Sequence, residues 1–384
     1  MTILESFATE TGQETKYAVI DTDVHPDFNL AKPEVVSHIP QKWREYISEY
    51  GLLRAQGPLA FERPRHREFA HRWDTTPPDG GQPMSNFDFA REQLLDRFDM
   101  SAGLLNDIIG YQLSGRRNQP RELAQVMCTA LNDYREEEWF AHDARWYGSI
   151  NLPYEVPSLA VAEIERRMEG PNAHRWKQIA MVQDLEHPMG NEKYWPIYEV
   201  AQEYNLPIAV HVAGGDRQTP SGSPTYYFEE HIIWAAWNFP TVSSLVFEGV
   251  FDRFPNLKIA FIEFGWSWAV PLSWRLDQTY EQNRSEVSHL QRKPSEYIRD
   301  HMWFSTQPME EPENSEWTED VFGSFEASGM ADKLMFSSDY PHWDFDEPAS
   351  IPTGLTEPIK RGILGENASK LYGIPLKPDS GVTL

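Results

Sequence analysis

Three segments of the chain end on side chains that can bind a metal ion or move a proton. Tyr17 to His25 (YAVIDTDVH) closes on Asp23 and His25, Pro207 to His211 (PIAVH) closes on His211, and Leu334 to His342 (LMFSSDYPH) carries Asp339. Each acid or imidazole follows a short apolar run, where a parallel β-barrel presents catalytic side chains to its upper face. Asp23 and His25 stand at i and i+2, so on an extended strand both point to one side and can share an ion. Two carboxylates with two imidazoles suit zinc, or manganese where coordination is higher. Singly these signals are weak, because a buried His is commonly hydrogen-bonded structure and an Asp after a strand commonly caps a helix. Their conjunction carries the reading.

Such side chains need a scaffold that brings distant strand ends together. Short apolar, β-branched runs near 17–23, 102–109, 147–152, 178–183, 207–212, 258–264, 302–305 and 334–338 predict strands. Amphipathic stretches lie between several of them, such as Lys193 to Tyr204 and Ser243 to Phe254, the latter stopped by Pro255-Asn256. The class is α/β, and eight strands alternating with helices favour a (β/α)8 TIM barrel over an open doubly wound sheet. No Gly-x-Gly-x-x-Gly or Walker-type loop follows a strand, which counts against nucleotide binding.

The first connection is far too long for a βα unit, at roughly 80 residues. Residues 27–95 therefore form a long insert after strand 1, on the active face. It holds a helical segment near Ile39 to Ile47 and a polar stretch from Gly57 to Pro83. A lid or a subunit contact is expected of it; a solvated excursion without function is the alternative. Residues 1–16 are expected to be a flexible N-terminus, 17–374 the barrel and 375–384 a C-terminal tail.

Composition sets the outer bounds. Of 384 residues, 40% are hydrophobic and 13% aromatic, with 14 Trp, which fits either a roomy aromatic-lined mouth or a bulky core. The formal net charge of −25 argues against nucleic-acid or anionic membrane partners. It says little about substrate, because a bound cation reverses the local field. Cys128 is the only cysteine, so an internal disulfide and a thiolate cluster are both excluded. It lies in a helical pattern, Glu122 to Leu131, and reads as a packed thiol. Met1 to Lys16 lacks the basic and apolar regions of a signal peptide, and no run approaches a membrane span. A soluble, cytoplasmic protein is expected.

Beyond the strand ends, longer motifs carry a resemblance. Leu206 to His211 (LPIAVH), Gly249 to Ile259 (GVFDRFPNLKI), Phe336 to His342 (FSSDYPH) and Ile363 to Gly373 (ILGENASKLYG) are similar to the amidohydrolase superfamily, in its amidohydrolase-2 branch. That branch includes decarboxylases of aminocarboxymuconate semialdehyde and of resorcylate, besides hydrolases. The resemblance covers residues 17–374 and implies a metal-dependent barrel enzyme. Two positions depart from the pattern. The first-strand motif is commonly His-x-His, whereas this chain has Asp23-Val24-His25. An acid in the first position also occurs in the family, so metal binding survives, with a harder oxygen ligand that admits manganese or magnesium. On strand six many family decarboxylases carry a His, followed three residues later by Glu. Here Ile259 to Trp266 (IAFIEFGW) puts Glu263 at the His position and Trp266 near the Glu position.

The expected centre is one divalent ion, zinc first and manganese or magnesium as alternatives, held by Asp23, His25, His211 and Asp339. Bound water would become hydroxide near neutral pH, its pKa falling from about 15.7 towards 7. Asp339 would take and return the proton, a role the resemblance supports. Glu263 is the second catalytic candidate, its alternative being a carboxylate paired with a barrel Arg or Lys. Trp266, His342 and His187 are the candidate substrate contacts; core packing for Trp266 and a loop hydrogen bond for His342 and the nearby Asp344 are the alternatives. His231, in an aromatic helical stretch from Tyr226 to Trp237, reads as packing. With no strand-six His, hydrolysis of a small amide, ester or lactone is favoured over decarboxylation of a small carboxylic acid, aromatic ones included. A metal-free ligand-binding barrel is the remaining alternative. The partner is a small-molecule substrate, and a homo-oligomer, dimer or tetramer, is expected.

Overall fold

Runs such as Ile-Ala-Val-His and Ile-Ala-Phe-Ile are buried along their whole length, as strands covered on both faces must be. In the computed structural model the described residues are 15–26, 33–51, 70–107, 120–183, 185–212, 222, 224–310, 312–314, 316–352, 354–378 and 380–384. Eight strands form one parallel sheet in chain order: β1 (Ile20–Val24), β2 (Ala102–Leu105), β3 (Trp146–Asn151), β4 (Trp176–Val182), β5 (Ile208–His211), β6 (Ile259–Ile262), β7 (Met302–Ser305) and β8 (Leu334–Met335). The Thr22 amide donates to Phe336 O at 3.1 Å, Asp339 N to Asp23 O at 3.1 Å and His25 N to Tyr340 O at 2.8 Å. These bonds join the first strand to the last, and the sheet becomes a (β/α)8 barrel. Each of the eight expected strands is present, β2 and β8 shorter than the apolar pattern suggested.

Helices clothe the outside: α1 (Gln41–Tyr50), α2 (Arg121–Tyr134), α3 (Pro157–Met168), α4 (Trp195–Glu203), α5 (Tyr227–Phe247), α6 (Ala269–Gln282), α7 (Pro294–His301), α8 (Glu316–Ala327) and α9 (Asn367–Tyr372). The pattern read as a helix from Ser243 to Phe254 is the end of α5 plus a separate turn, Val250–Arg253. Gly249 divides them by adopting φ 73°, a left-handed state that glycine reaches without steric cost. No helix among the described residues is long and apolar enough to cross a membrane.

Alternate strand residues face inward. Ile20, Leu104, Ala209, Ala260, Trp303 and Met335 form an apolar cluster with Leu371 and Tyr372 of α9. The same parity places Asn106, His211 and the segment reaching Asp339 on the inner face. β1 is the exception, because Asp23 and His25 lie an odd number of residues beyond Ile20. The pairing register of β1 against β2 shifts between Asp21 and Val24, and this irregularity turns both ligands inward.

The insert after β1 is described at 33–51 and 70–95; its residues 27–32 and 52–69, the latter overlapping the start of the polar stretch, lie outside the described set, as do residues 1–14. The returning chain is tied to the loop after β8: Arg72 N donates to Pro341 O at 2.9 Å and Trp343 N to Ala70 O at 2.7 Å. The C-terminal residues Val382–Thr383 pair antiparallel with Lys16–Tyr17.

Candidate metal centre

Asp23 and His25 arrive from β1, His211 from the last residue of β5, Glu263 from just beyond β6, and Asp339 and His342 from the segment after β8. All six are buried. His25 Nε2 lies 2.9 Å from Asp339 Oδ1, 3.4 Å from Asp23 Oδ1 and 3.7 Å from Glu263 Oε2. His211 Nε2 lies 3.1 Å from Glu263 Oε2 and 3.6 Å from Asp23 Oδ1. One ligand atom from each of Asp23, His25, His211 and Glu263 falls within 4.8 Å of the others, and so do atoms of His25, Glu263, Asp339 and His342.

Ring orientation is set by the backbone. His25 Nδ1 is 3.0 Å from Asn106 O, and His211 Nδ1 is 2.7 Å from Val212 O. A carbonyl only accepts, so each Nδ1 carries the hydrogen and each Nε2 turns its lone pair to the cluster, as a neutral imidazole ligand requires. Asp23 Oδ2 is buried with no hydrogen-bond partner among the described residues. A buried carboxylate oxygen left without a donor costs free energy unless a cation meets it. Donor set and geometry fit one divalent ion.

Beneath the ligands lies a polar layer that no strand-end motif announces. Asn106 Nδ2 donates to Asp23 Oδ1 at 2.7 Å, and its Oδ1 accepts from Gln178 Nε2 at 3.0 Å and from Ser149 Oγ. Tyr372 OH donates to Gln178 Oε1 at 2.7 Å, tying α9 into the layer. Asp21 accepts from Ser338 N at 3.0 Å and from Asp23 N at 3.1 Å, locking β1 to the segment that carries Asp339. Burial pushes the Asp21 carboxyl up to about 7.

Protonation in the cluster is uneven. Burial opposes ionisation of Asp23, but the imidazoles of His25 and His211 outweigh it and hold this carboxyl well below its ordinary value. Burial likewise opposes the charge on His25, yet Asp23 and Glu263 push it up to about 9. Glu263 is driven well above the carboxylate range by burial and by Asp339. Asp339 is driven the same way by burial and by Asp344. His342 is depressed well below its ordinary value by burial and by His25. Its Nδ1 is 2.6 Å from Asp339 Oδ1, and its ring packs 4.5 Å from that of His25 and 5.8 Å from His71 of the insert.

Glu263 and Asp339 share a backbone oddity, with φ 63° and 58°. Non-glycine residues held there cost of order 1–3 kcal/mol and cluster at functional sites. Among the described contacts Glu263 meets His25 and His211, not the barrel Arg or Lys of the alternative reading.

Of the residues singled out in the sequence, the structure brings Asp23, His25, His211, Glu263, Asp339 and His342 together. It does not bring Trp266 or His187 to them. Past the left-handed turn at Glu263 and Gly265, the Trp266 indole packs edge-on against Phe322 and Phe325 of α8, a core environment. His187 is exposed on the loop after β4, its amide donating to Tyr194 OH at 3.3 Å. His231, read as packing, instead meets Asp344 with Nε2 2.7 Å from Oδ2. Asn106 and Gln307 were missed. Both are polar residues within two positions of the end of an apolar strand, and that position was their one legible signal.

Imidazoles and carboxylates buried at the C-terminal ends of a closed parallel barrel define a metal-dependent (β/α)8 enzyme. The chain belongs to the amidohydrolase family, whose profile matches residues 20–374. It is 24% identical over 270 residues to a γ-resorcylate decarboxylase of Polaromonas, covering 65% of this chain and 77% of the relative. It is 23% identical over 299 residues to the 2-amino-3-carboxymuconate-6-semialdehyde decarboxylase of Dictyostelium discoideum, covering 74% and 76%. An amidohydrolase from Mycobacterium avium subsp. paratuberculosis shares the fold with TM-score 0.69 at 20% identity, over 94% of this chain and 98% of that one. A dihydroxybenzoic acid decarboxylase from Polaromonas, solved with manganese and 2-nitroresorcinol, gives TM-score 0.62 at 17% identity, over 93% and 97%.

Proposed function

We propose that the chain is a metal-dependent, non-oxidative carboxy-lyase acting on a small, aromatic carboxylic acid. The carrying observation is Asp339: a fully buried carboxyl turned into the barrel mouth, 2.6 Å from His342 Nδ1 and 2.9 Å from His25 Nε2. Protonation of a ring carbon needs a group that still carries its proton, and a carboxyl kept neutral by its site is such a donor. Hydrolysis, which the sequence favoured because strand six lacks an imidazole, asks the same residue to begin ionised. Here an imidazole reaches Asp339 from the loop after β8 instead. The curated relatives with decarboxylase activity support the same choice.

One divalent ion held by Asp23, His25, His211 and Asp339 would anchor the substrate carboxylate with a neighbouring hydroxyl and draw charge from the ring. Asp339 donates its proton to the carbon bearing the carboxylate. The C–C bond then breaks, its electron pair restores the ring, and CO2 departs. The new C–H bond keeps the proton, and Asp339 is reprotonated through His342, whose neutral imidazole accepts on one nitrogen and gives from the other. Asn106 holds Asp23 in place, and Glu263 crowds the site so that Asp339 stays protonated.

Zinc fits the four-ligand set; Glu263 as a further oxygen ligand favours manganese. We read the insert as a lid, supported by its ties to the loop carrying His342. A homo-oligomer is supported by large apolar side chains left in water, Phe228 and Ile232 on α5 and Trp274 on α6; sedimentation of a monomer would remove that reading. Reaction class is tested by incubating metal-loaded protein in D2O with hydroxylated benzoates and, in parallel, with aryl amides and lactones. Release of CO2 with one deuterium at the vacated carbon is expected. Turnover of amides or lactones alone would establish hydrolysis, with Glu263, 3.1 Å from His211, as the base.

A further inference from the structure

We propose that His231, Asp344 and Gln307 form a positioning chain that fixes the orientation of the Asp339 carboxylate and ties it to α5. The proposal rests on the reading of Asp339 as a metal ligand.

The two oxygens of Asp339 face different ways. Oδ1 meets His25 and His342, while Oδ2 accepts from Gln307 Nε2 at 3.2 Å. The same amide nitrogen donates to Asp344 Oδ2 at 2.9 Å, and that oxygen meets His231 Nε2 at 2.7 Å. An amide nitrogen has two hydrogens, so one Gln307 side chain can serve both carboxylates. The amide nitrogen, not the carbonyl oxygen, faces both carboxyl groups. The scaffold around Gln307 is rigid: it is fully buried, and its backbone N donates to Ser337 Oγ at 3.2 Å.

At the outer end, His231 is held by rings. Trp234 lies 4.6 Å away, Trp343 5.4 Å and Tyr227 5.9 Å, centroid to centroid. Tyr227, His231 and Trp234 share one side of α5 at i, i+4 and i+7 spacing. A surface His–Asp pair made only for packing would not need a buried glutamine that bonds both its own Asp and a second carboxylate at the ion site. Loss of the His231 donor frees Asp344 to rotate, which removes one of the two acceptors that hold the Gln307 amide. Asp339 then keeps Oδ1 but loses its second restraint.

The test is manganese affinity and the manganese EPR spectrum of full-length protein, neither of which depends on knowing the substrate. His231→Phe keeps the ring packing and removes the donor; His231→Gln keeps a nitrogen donor. Gln307→Met removes the bridge at similar volume. Losing a partner of a metal ligand typically weakens metal affinity about 10-fold or more. We expect that loss and an altered spectrum for His231→Phe and Gln307→Met, a double variant no worse than the weaker single one, and recovery in His231→Gln. Should Gln307→Met not fold, the pair His231→Phe and His231→Gln carries the test alone. Unchanged affinity and spectrum in both single variants, while Asp339→Asn still weakens binding, would overturn the chain alone. Unchanged binding in Asp339→Asn as well would overturn the ligand reading beneath it, and the chain with it.

Discussion

Glu263 and Asp339 approach the same imidazole, that of His25, from two strand ends whose backbones are both left-handed, at φ 63° and 58°. A carboxylate that simply continued a strand would follow the pleat; the turn at each position aims it into the barrel mouth. Two acids brought this close cannot both be charged without an ion between them. Without that ion the conflict holds one of the pair protonated, and strain and repulsion are retained where the chemistry needs them.

Asp339→Asn keeps the shape and tolerates the left-handed region, while removing the transferable proton. Turnover should fall by at least about a thousandfold, the upper part of the range for losing a general acid. The circular dichroism spectrum should be unchanged. Near-normal turnover would remove Asp339 from the mechanism.

His211→Ala should lower metal content below one ion per chain, because its Nε2 is aimed by the Val212 carbonyl at 2.7 Å. Equal stoichiometry in variant and parent, measured by elemental analysis, would eliminate His211 as a ligand.

Glu263→Gln separates an acid–base role from crowding. If Glu263 keeps Asp339 protonated, the variant should shift the alkaline limb of the pH–rate profile to lower pH, since Asp339 then loses its proton more readily. An unaltered profile and rate would leave Glu263 a structural residue.

Trp266→Ala distinguishes core from substrate contact. Packing against Phe322 and Phe325 predicts a stability loss of about 3–5 kcal/mol by denaturant titration, with ligand affinity of the folded fraction unchanged. A large rise in KM without loss of stability would restore Trp266 to the pocket.

Strands were legible because burial on both faces demands β-branched runs, and the ligands were legible because they end those runs. What escaped depends on relations no local pattern carries. The register shift that turns Asp23 and His25 inward is a property of two strands together. Asn106 and Gln307 act through carboxylates far away in sequence. His231 looked like one more ring in an aromatic helix, since its partner Asp344 lies on a different loop. Trp266 reads in the sequence equally as substrate contact or core packing, and the left-handed turn before it sends the indole against Phe322 and Phe325. The reaction class was read from the missing strand-six imidazole, whereas His342 reaches Asp339 from another strand.

The most direct measurement is metal analysis of freshly purified protein beside an Asp23→Ala, His25→Ala double variant. About one divalent ion per chain in the parent and none in the variant is expected, because Asp23 and His25 converge with His211 and Glu263, and the overlapping group with Asp339 and His342 shares His25. No bound ion in either protein after reconstitution, or the same content in both, would contradict a metal centre at the ends of β1, β5 and β8.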